Sequence, residues 1–160
     1  SMRIAIYPGT FDPFTNGHLD ILERSSKLFD KIIIAVAIDS DKQTLFSIEE
    51  RVSFIKDSID KFDNIEVEAF KGLLMHFVES KNASVIIRGL RAVSDFEYEF
   101  QMALMNHNLN DKVETLFLTT SSEYAFLSST IIKSVIKLNG RVSGLVSKKV
   151  ENALIEKFGL

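Results

Sequence analysis

The 160-residue sequence contains no cysteine, no tryptophan and only two prolines. The absence of cysteine excludes disulfides, thiolate metal sites and a thiol nucleophile. The longest apolar run lies within residues 31–38, which is far shorter than the roughly 20 apolar residues that cross a bilayer. The opening Ser1-Met2-Arg3 leads into a short apolar stretch and lacks the longer apolar region of a secretory signal. We therefore expect a cytoplasmic protein that does not enter a membrane, and we interpret Ser1 as a remnant of tag removal.

The chain also lacks an excess of positive charge. Lys and Arg total 19 against 22 Asp and Glu, which gives a formal net charge of −3. A broad basic face for duplex nucleic acid usually accompanies a strongly basic domain, so nucleic acid is not an expected partner. Composition is that of an average globular protein, and the length suits one domain, here predicted over residues 2–160. A polyanionic ligand would have to meet a local basic cluster.

Short β-prone runs alternate along the chain with segments of helical apolar spacing. The run 31–38 is nearly all apolar, as expected of a central strand that is covered on both faces of a parallel sheet. Ser47 is followed three residues later by Glu50, which is the capping-box pattern of a helix start. The alternation indicates an α/β domain with a doubly wound parallel five-stranded sheet and helices on both faces. The predicted strands span residues 3–7, 31–38, 65–70, 84–88 and 114–118, and the predicted helices span 17–29, 47–60, 73–80, 95–108, 129–138 and 148–158.

The segment after the first strand, from Pro8 to His18, holds two glycines, two prolines and two threonines. If Thr15 is the N-cap of the next helix, His18 is the third helical residue and lies beside unpaired backbone N–H groups, where anions bind. Gly17 leaves room there for a phosphate, and Gly9 is expected to take the positive φ of a tight turn. The fingerprint G-x-G-x-x-G and the Walker loop are both absent.

Three basic residues accompany other predicted strands. Lys42 follows the strand 31–38, and Arg88 and Arg91 follow the strand that is predicted to end near residue 87. Ligands of doubly wound sheets bind beyond the carboxyl ends of the strands, near the point where strand order reverses. Each cation alone would more often be a solvated surface charge, and His18 alone would more often be an ordinary helix-start residue. Their shared position predicts a phosphate site.

Three segments carry a resemblance to a known family. Residues 7–18, Tyr-Pro-Gly-Thr-Phe-Asp-Pro-Phe-Thr-Asn-Gly-His, closely resemble the opening of bacterial phosphopantetheine adenylyltransferases. The arginine-rich segment 87–100 and the motif Ser128-Ser-Thr130 resemble that family's second and third signatures. The motif Thr15-x-Gly-His alone would indicate only the wider nucleotidylyltransferase superfamily. The resemblance implies a Rossmann-like fold, a homohexamer, and magnesium-dependent transfer of the adenylyl group of ATP to 4'-phosphopantetheine, giving dephospho-CoA and pyrophosphate in coenzyme A biosynthesis.

Carried over residue by residue, the resemblance assigns the site. With the charge argument, it predicts catalytic roles for His18, Lys42 and Arg91, with His18 as the transition-state stabiliser. The implied phosphopantetheine contacts are Thr10, Lys42, Leu74 and Arg88. The implied ATP contacts are Thr10, Phe11, His18, Gly89, Leu90, Arg91, Glu99, Tyr124, Ala125, Phe126, Leu127, Ser128, Ser129 and Thr130. Lys133 stands where the family often has an arginine, and it keeps the charge but loses the bidentate fork, so a triphosphate contact there stays open.

The expected mechanism needs no general base. A phosphate nucleophile carries ~1.5 to 2 negative charges at neutral pH, so no side chain has to remove a proton from it. We expect Lys42 and His18 to donate to the pentavalent α-phosphate. Arg88 and Thr10 would anchor the acceptor phosphate, and Arg91 would hold the ATP phosphates. No Asp and His cluster has metal-ligand spacing, so magnesium is expected to arrive on ATP without a protein ligand.

Two other functions stay open from the sequence: a nucleotidylyltransferase for another phosphorylated acceptor, such as nicotinamide mononucleotide or glycerol phosphate, and an ATP-binding module without catalysis. The phenylalanines are interpreted mainly as core residues. His76 and His107 lie in predicted helices without catalytic neighbours and are interpreted as structural or surface residues. The helix 95–108 carries an apolar load wider than one stripe, which is typical either of a subunit contact or of burial within the chain.

Overall fold

The computed structural model describes residues 2–39 and 41–160, so Ser1, the predicted tag remnant, lies outside the described residues. Five strands form one sheet in the order β3-β2-β1-β4-β5, and every pair is parallel. This confirms the predicted α/β architecture. The described elements, in chain order, are β1 (Ile4–Gly9), α1 (Asn16–Ser25), β2 (Lys31–Ile38), α2 (Ile48–Ile59), β3 (Ile65–Lys71), α3 (Leu74–Ser80), β4 (Val85–Leu90), α4 (Phe96–Leu109), β5 (Glu114–Thr119), a 3₁₀ turn (Ser122–Tyr124), α5 (Ser129–Lys137) and α6 (Lys148–Lys157).

Helices cover both faces of the sheet. Ile34 of β2 packs on one face with Ile21 of α1 and Ile55 of α2. The neighbouring Ile33 packs on the other face with Met75 of α3. Successive side chains of a strand point to opposite faces, so the continuous apolar run of β2 reflects burial on both sides. In the described part of the chain, no helix has the length and apolar character of a membrane span.

Three predicted element ends are wrong by two residues or more. Strand β1 ends at Gly9, not at residue 7. Helix α1 ends at Ser25, not at residue 29, and the hydroxyls of Ser25 and Ser26 donate to the helix carbonyls of Ile21 and Glu23, at 2.6 and 2.8 Å. Such bonds compete with continuation of the helix. Strand β4 continues to Leu90 because its last residues pair with β5, so Arg88 lies inside the strand and not after it.

The strand order places the predicted site residues at the topological switch point. From β1 the chain adds β2 and β3 on one side, and it then returns to the other side of β1 to add β4 and β5. Ligands bind where the order reverses, beyond the carboxyl ends of β1 and β4. His18 follows β1 and Arg91 follows β4, so both flank this crevice.

Helix α4 differs from the other helices because none of its residues is buried. Phe96, Phe100 and Leu104 are 54%, 50% and 58% exposed. Burial within the chain, one of the two interpretations of this segment, is therefore wrong. Of the thirteen phenylalanines, Phe96, Phe100 and Phe126 are exposed and the others are buried or half-buried, so the core interpretation holds for most of them.

Candidate active site

Two adjoining cavities lie at the carboxyl ends of the strands. The first, the His18 cavity, has a volume of about 330 Å³. Its lining includes most of the predicted site residues: Thr10, Phe11, His18, Lys42, Arg88, Gly89, Arg91, Leu127, Ser128, Ser129 and Thr130. The second, the Leu74 cavity of about 450 Å³, is lined by Leu74 and Glu99 among others. Both cavities include Thr10, Lys42 and Arg88 in their linings.

Four predicted ATP contacts lie apart from this arrangement, since Leu90, Tyr124, Ala125 and Phe126 line neither cavity. Leu90 ends β4, Tyr124 packs on the apolar cluster beside α5 and α6, and Phe126 is exposed. Their contacts with ATP stay predictions.

His18 closes a capping box at the start of α1. As predicted, Thr15 is the N-cap, and its hydroxyl accepts from the His18 backbone N–H at 3.4 Å. In return, Nδ1 of His18 accepts from the Thr15 backbone N–H at 3.0 Å. Because Nδ1 must be unprotonated to accept this bond, the proton of the neutral ring is on Nε2. The reciprocal role of the imidazole, which usually falls to Glu or Gln, was not predicted from the sequence.

The electrostatics of His18 favour a neutral donor. Its ring lies beside Phe11 and Phe14, with centroid distances of 4.9 and 5.4 Å. Burial, together with the Arg91 and Arg88 charges, lowers the pKa of His18 from 6.5 to about 3. A neutral imidazole with its proton on Nε2 and Nδ1 already occupied has no free acceptor for a substrate proton. It can donate one hydrogen bond to a phosphoryl oxygen.

The wall shared by the two cavities is built from three strand ends. Nζ of Lys42, after β2, donates to the Thr10 hydroxyl, after β1, at 3.3 Å. Arg88 in β4 donates from Nη1 to the Pro8 carbonyl at 3.0 Å. Its Nε and Nη2 donate to Oε1 of Glu99 at 2.8 and 2.6 Å. Glu99 was expected to contact ATP, and in the structure it contacts Arg88, so α4 holds the guanidinium of a predicted acceptor contact.

The third signature joins the site at the start of α5. Ser128 is the N-cap, with its hydroxyl 3.0 Å from the Ile131 backbone N–H, and the Ser129 hydroxyl donates to the Pro13 carbonyl at 2.7 Å. Arg91 donates from Nη1 to the Leu127 carbonyl. These bonds bring a helix N-terminus to the His18 cavity, and free N–H groups there favour anions.

Sequence comparison identifies the family. The cytidylyltransferase-like family pattern matches residues 6–135. A phosphopantetheine adenylyltransferase of Clostridium botulinum (strain Eklund 17B / Type B) is 54% identical over 156 residues, which cover 98% of each chain. One of Geotalea daltonii (strain DSM 22248 / JCM 15807 / FRC-32) is 54% identical over 157 residues, again 98% of each chain. The chain belongs to the phosphopantetheine adenylyltransferase family. Its members are nucleotidyltransferase enzymes.

Solved structures share the fold of this phosphopantetheine adenylyltransferase family member. A protein of Vibrio parahaemolyticus, provisionally assigned as a nicotinate-nucleotide adenylyltransferase, superposes with a TM-score of 0.70 at 18% identity, over 98% of this chain and 93% of the other. A lipopolysaccharide core biosynthesis protein of Thermoplasma volcanium GSS1 gives a TM-score of 0.54 at 22% identity, over 76% and 98%. Likeness at these identities shows the fold alone.

A buried carboxylate of this family member was missed by the sequence analysis. Asp12 is 4% exposed, and it accepts from the backbone N–H groups of Leu45 and Phe46 at 2.8 and 2.9 Å. Lys133 lines the His18 cavity and lies 3.2 Å from Asp12. The partners of Asp12 are at least 33 residues away in sequence, so no short sequence motif predicts these contacts. Asp12 thereby ties the loop after β1 to the segment between β2 and α2.

The prediction for Gly9 is wrong, because in this family member Gly9 is the extended last residue of β1. The left-handed conformation falls on Phe11, with φ of 51°. A Cβ on Gly9 would lie 2.9 Å from the Phe11 ring, closer than side chains tolerate. Glycine is needed here for close packing and not for a turn. Gly17 lines the His18 cavity, and the approach of a phosphate to it stays a prediction.

Proposed function

We propose that the chain transfers the adenylyl group of ATP to 4'-phosphopantetheine, giving dephospho-CoA and pyrophosphate in coenzyme A biosynthesis. The observation that carries the proposal is the wall of Thr10, Lys42 and Arg88 that lines both cavities. ATP in the His18 cavity and the acceptor in the Leu74 cavity would meet there through their phosphates. Such positioning supplies up to ~7–11 kcal/mol of barrier reduction in well-oriented systems.

The lining of the Leu74 cavity supports this assignment of the acceptor. Phe70, Leu74 and Met102 give it an apolar surface, while Lys42 and Arg88 supply positive charge. A cavity of this kind suits a ligand with an extended arm and one phosphate. The family membership of the chain narrows that ligand to 4'-phosphopantetheine.

The proposed reaction is a direct in-line attack without a covalent intermediate. An oxygen of the acceptor phosphate, anchored by Arg88 and Thr10, forms a bond to the α-phosphorus of ATP. The bond from that phosphorus to the oxygen bridging to the β-phosphate breaks, and pyrophosphate leaves. His18 Nε2–H and Lys42 Nζ donate to the α-phosphate as charge develops, and Arg91 holds the triphosphate.

Magnesium belongs to the proposal through the substrate. Within residues 2–39 and 41–160, no group of three or more His, Cys, Asp or Glu side chains could hold a metal ion. We propose that Mg²⁺ binds the ATP phosphates, where it would supply charge neutralisation. No step assigned to the side chains depends on a protein ligand to this ion.

We further propose that the chain self-associates, as a homohexamer in the cytoplasm, with α4 as a contact. The support is the exposed apolar surface of α4, which includes Phe96, Phe100 and Leu104. Exposed patches of this kind commonly mark protein contacts.

We also propose that residues 2–160 act as one domain, because the backbone N–H of Asn16 at the start of α1 donates to the Leu145 carbonyl at 2.8 Å.

The test is pyrophosphate release from ATP and Mg²⁺ with 4'-phosphopantetheine as the acceptor. Parallel reactions with nicotinamide mononucleotide and glycerol phosphate test the other acceptors. Release should depend on 4'-phosphopantetheine and should be lost in Lys42→Met but kept in Lys56→Met, which removes an exposed cation of α2. Release with another acceptor alone would reassign the substrate. ATP binding by folded protein without any release would favour the non-catalytic module.

A further inference from the structure

Arg51 is a buried cation that contacts three separate backbone segments. It lies near the start of α2 and is 4% exposed. Its Nη1 donates to the carbonyls of Thr10 at 2.8 Å and Ala37 at 3.1 Å. Its Nε donates to the Phe46 carbonyl at 3.2 Å. The three carbonyls belong to the loop after β1, the end of β2 and the segment that leads into α2.

The first two contacts extend the link between β1 and β2 past the end of their pairing. The last paired residues of these strands are Gly9 and Val36. Thr10 and Ala37 follow these two residues in the chain, and Arg51 joins their carbonyls where the pairing of β1 and β2 stops. Two carbonyls cannot hydrogen-bond to each other, whereas Nη1 of Arg51 carries two N–H groups and donates to both.

We propose that Arg51 is a positioning residue for the acceptor phosphate. By fixing the Thr10 and Ala37 backbones, it sets the separation of the Thr10 hydroxyl and Lys42 Nζ, which are 3.3 Å apart on the wall shared by the cavities. This inference rests on the proposed function. Arg51 itself touches no reactant in this scheme and acts through Thr10 and Lys42.

Phe46 completes the arrangement because it joins Arg51 to Asp12. Asp12 accepts from the Phe46 N–H at 2.9 Å, and Arg51 donates to the Phe46 carbonyl at 3.2 Å. The segment between Lys42 and α2 is therefore held on both sides of one residue by oppositely charged groups. A buried charge is costly unless its hydrogen bonds are made. A lysine presents its donors from one nitrogen, so it would not reproduce the separate Nε bond to Phe46 and Nη1 bonds to Thr10 and Ala37.

The experiment compares Arg51→Lys with Ile59→Ala. Lysine keeps the charge but loses the planar fork. Ile59 lies on the same helix, is 5% exposed and belongs to the core cluster under the sheet, so its truncation destabilises α2 without removing a bond to Thr10 or Ala37. Arg51→Lys should raise the KM for 4'-phosphopantetheine and lower kcat/KM by ~10- to 100-fold, since small misplacements have effects of this size. The KM for ATP should stay near the wild-type value. Ile59→Ala should lower Tm and leave both KM values near wild type.

The outcomes separate the two proposals. An inactive wild-type protein overturns the proposed function, and this inference with it. Active wild type with Arg51→Lys kinetically equal to Ile59→Ala overturns the positioning role alone. If Arg51→Lys does not fold, wild-type protein labelled with ¹⁵N-arginine gives the second measurement. The Arg51 Nε–H signal should shift when 4'-phosphopantetheine is added, and a signal that does not move at saturation overturns the inference.

Discussion

The capping box of α1 allows the donor role of His18 to be separated from its structural role. His18→Gln keeps a side-chain acceptor for the Thr15 N–H, because glutamine is a usual residue at this position of a capping box. His18→Ala removes that acceptor together with the imidazole. We expect His18→Ala to lower the free energy of unfolding by about 1 kcal/mol, the usual effect of losing a cap bond. His18→Gln should lower it by less.

Both variants lose the Nε2–H donor of His18, which lines the His18 cavity. A donor aimed at developing charge contributes ~3–4 kcal/mol to transition-state stabilisation, or ~10²- to 10³-fold in kcat. We therefore expect kcat to fall by that factor in both variants, while the KM values stay near wild type because Arg88 and Arg91, the proposed phosphate contacts, are unchanged.

The assay is steady-state pyrophosphate release, with urea denaturation measured on the same preparations. A kcat that is low in both variants, with stability restored in His18→Gln, supports the donor role. Wild-type kcat in His18→Gln would refute it. So would a kcat that follows stability, low in His18→Ala and recovered in His18→Gln, because the ring would then matter only as a cap.

The lowered pKa of His18 extends the same prediction to pH. The pKa is about 3 in the folded chain against 6.5 for the ordinary group, so between these values the unfolded chain binds a proton that the folded chain does not. Above pH 6.5 neither the folded nor the unfolded chain binds this proton, so the free energy of unfolding does not depend on it. Below pH 6.5 the free energy of unfolding falls as pH falls, by up to ~1.4 kcal/mol per pH unit. The ring is half-buried and reaches the cavity, which makes this slope an upper limit. His18→Gln should make the free energy of unfolding less dependent on pH in this range. The kcat of the wild type should show no inflection near pH 6.5 that is absent from His18→Gln.

Three further variants test the surroundings of the site. Glu99→Gln should weaken the hold on Arg88 and raise the KM for 4'-phosphopantetheine about tenfold, equivalent to ~1.4 kcal/mol. A rise in the KM for ATP instead would favour the direct ATP contact. Asp12→Asn should lower the free energy of unfolding by ~1–3 kcal/mol in urea denaturation, and a wild-type midpoint would contradict its role as an anchor. Phe100→Glu should give smaller species in size-exclusion chromatography with light scattering, and an unchanged mass would contradict α4 as a contact.

Features that depend on a few neighbouring residues could be predicted from the sequence. The N-caps Thr15 and Ser47 and their helices depend on residues three positions apart, and the apolar run of β2 depends on burial of one strand. The convergence of Lys42 and Arg91 follows from one general rule, because the carboxyl ends of parallel strands share one edge of a sheet. These steps brought most of the predicted site residues together.

The supports beneath the site could not be predicted in this way. Arg51 reaches Thr10 across 41 residues, and Asp12 reaches Phe46 across 34. A charged side chain that satisfies distant backbone groups has the same local sequence as a solvated one. The role of Gly9 could not be predicted from the sequence either, because a glycine is equally compatible with a turn and with close packing. The position of the Phe11 ring decides between the two.

The distribution of charge explains why a neutral histidine suits the centre of this site. Of the cations lining the His18 cavity, Arg88 is paired with Glu99 and Lys133 with Asp12. In the described part of the chain, Lys42 and Arg91 make no ion pair and contact neutral oxygens. They follow β2 and β4, which flank β1 in the sheet, and His18 follows β1. Binding that is equally strong in ground state and transition state does not raise kcat. In the proposed mechanism, free positive charge on two flanking residues with an uncharged donor between them would direct stabilisation to charge that develops during the reaction.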